Sequence, residues 1–562
     1  MAAYRSSFLI ITTIAILASL LYWPFLHSGL IFDDQGLFLT GVIYDYAQIP
    51  FDFRPRTFPY FTLGFVSVLN SALEANRIVS LVLHILCAWG LYFLLKTLLI
   101  QTLDISGKNE VKETSRQATI LAFLGAAWFS IHPIAVYGAG YLAQRTILFA
   151  TLFSILSLWF YRRAFAKKRN VDMLTAALFY ALALYSKEHA IMLPLAAVTL
   201  TAIYDGSLRS NFKRIALYLA LCFPVAVSVF WASKHIVASS YEPEVGAMLL
   251  LLRDISIIAE PWGKWVVSII LQTGFFFDYM AFWIVPDVSL LSADMRFDFV
   301  RIWFSWWIFP KAFLFFLTAA LAIYFLRKKG LIALFCCGFL YCWFLFLTEL
   351  AAVRFQEPFV LYRSYLWAPG YVMMIVAVCA RVPHRWLMIA TIPVFAFFLL
   401  LARERLTSLA TEASVWKDAA SKLALPSLIG SDRIFYNRGR AYLQEKKYAE
   451  AIADFSLTIE HNPKVSQAYY NRALAYFSLE KFPEALSDLK TASVLNNKNS
   501  SILNTQGLVL ERLGCSVAAM HSYSASMELG DQFAKIRLQE LVRLNTVSKN
   551  KNHRLDGAEC PG

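Results

Sequence analysis

Residues 436–463 read YNRGRAYLQEKKYAEAIADFSLTIEHNP, and 34 residues on the pattern returns as YNRALAYFSLEKFPEALSDLKTASVLNN (470–497). A weaker third copy, NTQGLVLERLGCSVAAMHSYSASMELGD, covers 504–531. Stacked in register, the copies share chemical columns. A small residue recurs at Gly439, Ala473 and Gly507, and a large one three places on at Tyr442, Tyr476 and Leu510. Further along come Ala451, Ala485 and Ala519, then Phe455, Leu489 and Tyr523. Pro463 closes the first copy. Small residues let two helices approach closely, and the large ones fill the seam between neighbours.

A 34-residue period with these columns is the tetratricopeptide (TPR) repeat, a helical hairpin stacked on its neighbours. Three copies are about the minimum for a stable stack. The reading is an α-solenoid over 432–533, preceded by a linker at 406–431 and followed by a partly disordered tail at 534–562.

Upstream, over 1–405, the chemistry is different. The whole chain is 58% hydrophobic and 16% charged, with a mean hydropathy of +0.54. A soluble domain carries about 25% charge. Apolar runs of spanning length therefore make lipid the solvent for this region. The net charge of +14 does not point to nucleic acid, because many basic residues cluster between apolar runs, as in cytoplasmic loops. Six of the eight cysteines lie in apolar segments, none with metal-ligand spacing.

The run FLIITTIAILASLLYWPFL (8–26) reads as a retained signal anchor with Arg5 on the cytoplasmic side. Further spans are expected near 78–100, 118–136, 146–161, 172–186, 189–204, 215–232, 302–326, 331–349, 367–380 and 386–402. The fold class is thus all-α: a multi-pass transmembrane bundle of about eleven helices with a C-terminal TPR solenoid. Basic clusters at Arg162–Arg169, Arg327–Lys329 and Arg381–Arg385 mark the inner side. Their parity puts the repeats outside the cytoplasm. It also favours a re-entrant or interfacial element at 265–285 over a crossing.

Ionisable residues then gather at the expected outer helix ends. Asp33 and Asp34, in IFDDQG, follow the first helix. Vicinal carboxylates raise each other's proton affinity, so one can act as a base near neutral pH. A pair could also hold a divalent ion, or simply cap the next element. Arg54 and Arg56 (FRPRTFPY), Arg145 (YLAQRT), Lys187 (YSKEHA) and Arg363 (VLYRSYL) supply cations suited to a lipid-linked phosphate. The plainer reading of each is a side chain snorkelling to the interface. His132 and His84 are lone histidines, a type that usually sits satisfied in a core.

The segments HPIAVYGAGYLAQRTILFATLFSILSLWFYRRA (132–164), LALYSKEHAIMLPLAAVTLTAIYDG (182–206), NRIVSLVLHILCAWGLYFLL (76–95) and FVLYRSYLWAPGY (359–371) resemble the transmembrane-plus-TPR O-mannosyltransferase-like proteins and their bacterial relatives. The resemblance covers about 20–520, with 233–300 poorly matched. It implies a glycosyltransferase fold of the GT-C class, a polyprenyl-phosphate sugar as donor, and an essential acidic residue after helix 1, where Asp33 and Asp34 stand. It also implies roles for Arg145, Lys187, Glu188 and Arg363.

The function expected is transfer of a sugar from a polyprenyl-phosphate donor to an acceptor hydroxyl, Ser or Thr of a polypeptide, with the repeats holding the acceptor. Asp33 or Asp34 would be the base, and His132 and Glu188 further candidates. No metal ligand set is read, although the acidic pair leaves a divalent ion open. The rivals are a non-enzymatic TPR scaffold, a lipid or polysaccharide transporter, and an O-antigen-ligase-type transferase. The expected location is a bacterial inner membrane with the repeats in the periplasm.

Overall fold

The computed structural model describes residues 2–49, 54–103, 111–204, 210–238, 262–355 and 357–550. Among these every regular element is a helix. The chain divides into two compact units, Met1–Val415 and Trp416–Gly562.

Among the described residues of the first unit, eight helices are long and apolar enough to cross a membrane: Ser7–Phe25, Leu73–Leu103, Leu142–Lys167, Phe212–Ser233, Gly263–Ile284, Ile308–Phe325, Leu331–Ala351 and His384–Ser408. Four segments expected to span fall outside this group, for local reasons. Val111–Ile131 carries Lys112, Glu113 and Arg116 in its first turns. Asn170–Ser186 has 17 residues, about 25 Å of helix against a hydrocarbon core of about 30 Å. The 189–204 stretch is broken at Leu200 into Leu193–Thr199 and Thr201–Tyr204. Ala368–Cys379 has 12 residues and follows a tight 3-10 stretch, Leu361–Trp367. Conversely, the stretch expected to re-enter is one uninterrupted helix, Gly263–Ile284, of crossing length.

Packing inside this unit depends on backbone approach. Leu331–Phe346 meets Ala368–Cys379 where Gly338 faces Gly370, and a Cβ on either glycine would lie 2.5 Å from the other's carbonyl oxygen. Small residues serve the same purpose between membrane helices generally.

The second unit holds three helical hairpins: Ser431–Gln444 with Tyr448–His461, Ser466–Ser478 with Phe482–Leu495, and Ser500–Arg512 with Ser516–Glu528. Ala451, Ala485 and Ala519 are wholly buried. A Cβ on Gly439 would come within 2.9 Å of the Phe455 ring, and one on Gly507 within 2.6 Å of the Tyr523 ring. The small and large columns are therefore two sides of one contact. Two further columns escape hydropathy. Arg438 forks onto Asp454 at 2.7 and 2.6 Å, and 34 residues on Arg472 forks onto Asp488 at 2.8 and 2.8 Å. The expected linker contains the helix Glu412–Ser421. The expected tail is helical in its first part, as Gln532–Asn550, and 551–562 lie outside the described residues.

Replacing Ala485 by Phe overpacks the seam and is expected to cost about 1–3 kcal/mol. Chemical denaturation of the expressed 430–550 fragment, followed by circular dichroism, measures it. An unchanged midpoint would contradict the packing described.

Candidate functional site

After its first long helix, the chain turns sharply and presents Asp33 and Asp34 at the start of the short helix Asp33–Leu39. The two carboxyls part company there. Asp33 is exposed, while Asp34 is wholly buried. Asp34 Oδ1 accepts the Ala143 N–H at 2.7 Å, and its Oδ2 has no hydrogen-bond partner. Burial pushes the Asp34 carboxyl up to about 7, against the opposing pull of Arg77 and of the Ala143 and Leu142 amides. A carboxyl deprived of water favours its neutral form unless donors replace the solvent.

The Asp33 N–H donates to the Tyr141 hydroxyl at 3.0 Å. The Tyr141 ring lies 6.3 Å from that of Tyr362, and Tyr362 in turn faces two cations: Lys187 Nζ at 5.6 Å and the Arg363 guanidinium at 5.9 Å from its centroid. Lys187 is only 5% exposed, and among the described residues no carboxylate pairs with it. Burial brings its ammonium down to about 7, helped by Arg56 and Arg363 and resisted by Glu188 and Asp33. A buried cation facing a ring and lacking a counter-ion is a place for an anion.

Around Lys187 the cations Arg56 and Arg363 are paired with carboxylates. Arg56 grips both oxygens of Glu188, through Nε at 3.0 Å and through a terminal nitrogen. Its backbone N–H donates to the Tyr185 carbonyl at 2.7 Å. His189 stands between Glu188 and Glu349, 3.4 Å from each. Buried Glu349 also receives Arg363 at 2.8 Å and approaches Arg354 at 3.6 Å, and Arg363 reaches Glu357 at 3.4 Å. The corner at 186–190 and the segment 347–363 are thus tied by alternating charge.

Arg56, Lys187, Glu188 and Arg363 therefore gather near Asp33. Arg54 is exposed two residues before Arg56, its carbonyl accepting the Thr57 N–H. Two candidates lie elsewhere. Arg145 is wholly buried, and its nitrogens go to Asn76 Oδ1 (2.8 Å), Ser80 (3.3 Å) and Thr62 (3.4 Å). It is a strut joining three helices, with its donors turned to protein rather than to a phosphate. His132 packs against Trp283 and Trp128, both rings at 4.4 Å. Its Nδ1 accepts the Ile134 N–H, so Nε2 carries the proton and donates to the Trp283 carbonyl at 3.1 Å. It is a satisfied core residue. His84 is likewise held in the core between Tyr365 and the Ser130 carbonyl.

Tyr141, His189, Glu349, Arg354, Glu357 and Tyr362 escape a reading by sequence alone. Glu349 did carry a signal: a lone carboxylate in the apolar run 331–351 is costly unless it is paired for a purpose. Among the described residues no group of three or more His, Cys, Asp or Glu side chains is placed to hold a metal ion.

Residues 433–465 match the tetratricopeptide repeat family. No curated protein matches the chain. Among solved structures, the chain is similar to the first TPR domain of Spaghetti (RPAP3) bound to the HSP90 peptide SRMEEVD. Identity is 26% over 20% of this chain and 93% of that one, with a TM-score of 0.20. It is similar to the Sgt2 TPR domain of Aspergillus fumigatus at 20% identity, over 23% of this chain and 90% of that one, with a TM-score of 0.21. A longer alignment, to the APC/C hetero-tetramer Cut9–Hcn1, covers 89% of this chain and 95% of that one at 12% identity and a TM-score of 0.22.

Proposed function

We propose that the chain is a membrane glycosyltransferase that moves a sugar from a polyprenyl-phosphate carrier to an acceptor hydroxyl, Ser or Thr of a polypeptide. The observation that carries the reading is Lys187: a buried ammonium without a carboxylate partner, set on the Tyr362 ring, with exposed Asp33 near enough to affect its charge. That arrangement supports a phosphate held on one side of a reacting carbon and a base on the other. The Asp33 carboxylate takes the acceptor's proton. The freed oxygen pair forms the bond to the anomeric carbon. The bond from that carbon to the phosphate oxygen breaks, and its electron pair leaves on the lipid phosphate. The Lys187 ammonium offsets the charge that develops there. Arg56 and Arg363 are already neutralised by Glu188 and Glu349, so they shape the site rather than add net charge to it. The repeat unit holds the acceptor polypeptide or a partner protein.

A second reading, a scaffold without catalysis, is favoured by the repeats alone, since a TPR stack recruits partners whatever precedes it. Intact-mass analysis of membrane and secreted proteins, from cells with and without the chain, separates the two. The transfer reading expects sugar-sized mass increments to disappear with the chain. Glycoproteins of unchanged mass would leave only the scaffold.

We further propose a bacterial inner membrane with the repeats in the periplasm. The basic clusters at Arg162–Arg169, Arg327–Lys329 and Arg381–Arg385 support it. The scheme needs Val111–Ile131 and Ala368–Cys379 each to cross, and an even number of crossings between 238 and 308. A reporter active only in the periplasm should give signal when fused after Gly430 and none after Lys168. The reverse pattern would overturn the topology.

A further inference from the structure

The loop that carries Asp33 is folded against the preference of its own sequence. Ile31–Asp34 form a β-turn closed by the Asp34 N–H on the Ile31 carbonyl at 3.0 Å. The first central residue, Phe32, has φ +47° and ψ −125°. This is the corner of a type II′ turn, which belongs to glycine because a Cβ crowds the backbone there. A phenylalanine persists in such a conformation only where its surroundings over-determine it.

Distant parts of the chain supply that constraint. The Phe32 N–H donates to Glu412 Oε2 at 3.1 Å, the Asp33 N–H to Tyr141 at 3.0 Å, and Asp34 Oδ1 accepts the Ala143 N–H at 2.7 Å. The Gly29 N–H donates to the Ala410 carbonyl at 2.8 Å, which ties the start of the same loop to the chain just before Glu412. Of these contacts, the one from Glu412 falls on the amide of the strained residue itself. It comes from a carboxylate, the stronger kind of acceptor for a backbone N–H. Glu412 lies 380 positions from Phe32 and opens the helix Glu412–Ser421.

We propose that Glu412 is a positioning residue for Asp33: its carboxylate clasps the strained turn at Phe32 and so sets the direction of the exposed carboxylate. The role given to Asp33 rests on the transfer reading above. The clasp stands independently of it.

The test uses the full chain in lipid nanodiscs as wild type, Glu412→Ala, Glu412→Gln, Phe32→Gly, and Phe32→Gly with Glu412→Ala. Hydrogen exchange over 29–36 reads the clasp without reference to catalysis. Glu412→Ala should speed exchange of this segment by about tenfold or more, as a local opening does. In the transfer assay kcat should fall by about 10–100-fold, the usual cost of a misplaced reacting group, with donor KM unchanged because Lys187 is untouched. Glu412→Gln keeps an oxygen acceptor and should lose less. Phe32→Gly removes the strain, so the double variant should recover both slow exchange and turnover. Wild-type exchange rates in Glu412→Ala would overturn the clasp. Fast exchange with normal kcat, or a loss that Phe32→Gly does not rescue, would overturn the positioning role. Failure of the transfer reading looks different: the wild type moves no sugar, and the exchange rates alone then decide the clasp.

Discussion

Asp33→Asn should lower glycosyl transfer by about 10²–10⁴-fold, the usual contribution of a positioned general base. The substitution keeps the shape and removes both the charge and the proton acceptor. Asp33 is exposed and its carboxyl is not tied down by the Ala143 amide, as that of Asp34 is. The same change at Asp34 should act on the fold instead. In Asp34→Asn the side-chain oxygen would still accept the Ala143 N–H, but an amide NH2 would stand where the buried Oδ2 now has no partner. An unsatisfied buried donor costs about 1–3 kcal/mol. The neighbours are thus expected to separate into one variant that folds and does not turn over, and one that turns over and melts earlier. Single-turnover rates and thermal midpoints of the two purified variants check this. Wild-type transfer by Asp33→Asn at normal expression would sink the mechanism, and a loss of turnover only at Asp34 would exchange the two roles.

Lys187→Met should weaken binding of a polyprenyl phosphodiester by about 10–100-fold, the loss of one charge-assisted contact of roughly 1.5–3 kcal/mol. The pH dependence is the sharper test. Burial holds the Lys187 ammonium down to about 7, whereas a phosphodiester keeps its single charge across the neutral range. Wild-type affinity is therefore expected to be highest below about pH 7 and to fall as pH rises through it. Lys187→Arg stays protonated and should bind with a flat profile. Folding stability runs the other way. The folded chain holds the ammonium less tightly than the unfolded chain does. Between about pH 7 and the ordinary lysine value, the unfolded state binds more protons, so this group makes stability rise with pH and lose that contribution as pH falls through about 7. Opposite slopes for affinity and stability separate ligand binding from general loosening of the fold. Equal binding by wild type and Lys187→Met at pH 6 would remove Lys187 from the phosphate site.

The repeat unit was almost wholly legible. Hairpin repeats announce themselves through spacing, and the columns Gly439–Phe455 and Gly507–Tyr523 are contacts within a single repeat. The apolar runs were legible too, because length and hydropathy are local properties. Their continuity was less so. The break at Leu200 and the unbroken helix Gly263–Ile284 depend on how the backbone packs, which hydropathy does not record.

The acidic pair and the cations Arg56, Lys187 and Arg363 could be picked from the sequence because polar groups beside long apolar runs are costly and few. Their division of labour could not. Asp33 and Asp34 are adjacent and chemically identical, and only the packing of 141–143 against them exposes one and buries the other. Arg145 and Lys187 both follow apolar stretches with the look of phosphate ligands. Asn76, Ser80 and Thr62 claim the first, while the second meets an aromatic ring and no carboxylate. His189 and Glu349 are 160 residues apart in the chain and 3.4 Å apart in space. By itself, then, the sequence determined which segments avoid water, which segments repeat, and where charge is concentrated, since each follows from neighbours within a few dozen residues. The tertiary structure alone decided which charges are neutralised, which are buried, and which are left without a paired carboxylate, because desolvation and pairing are set by whatever distant chain happens to cover each group.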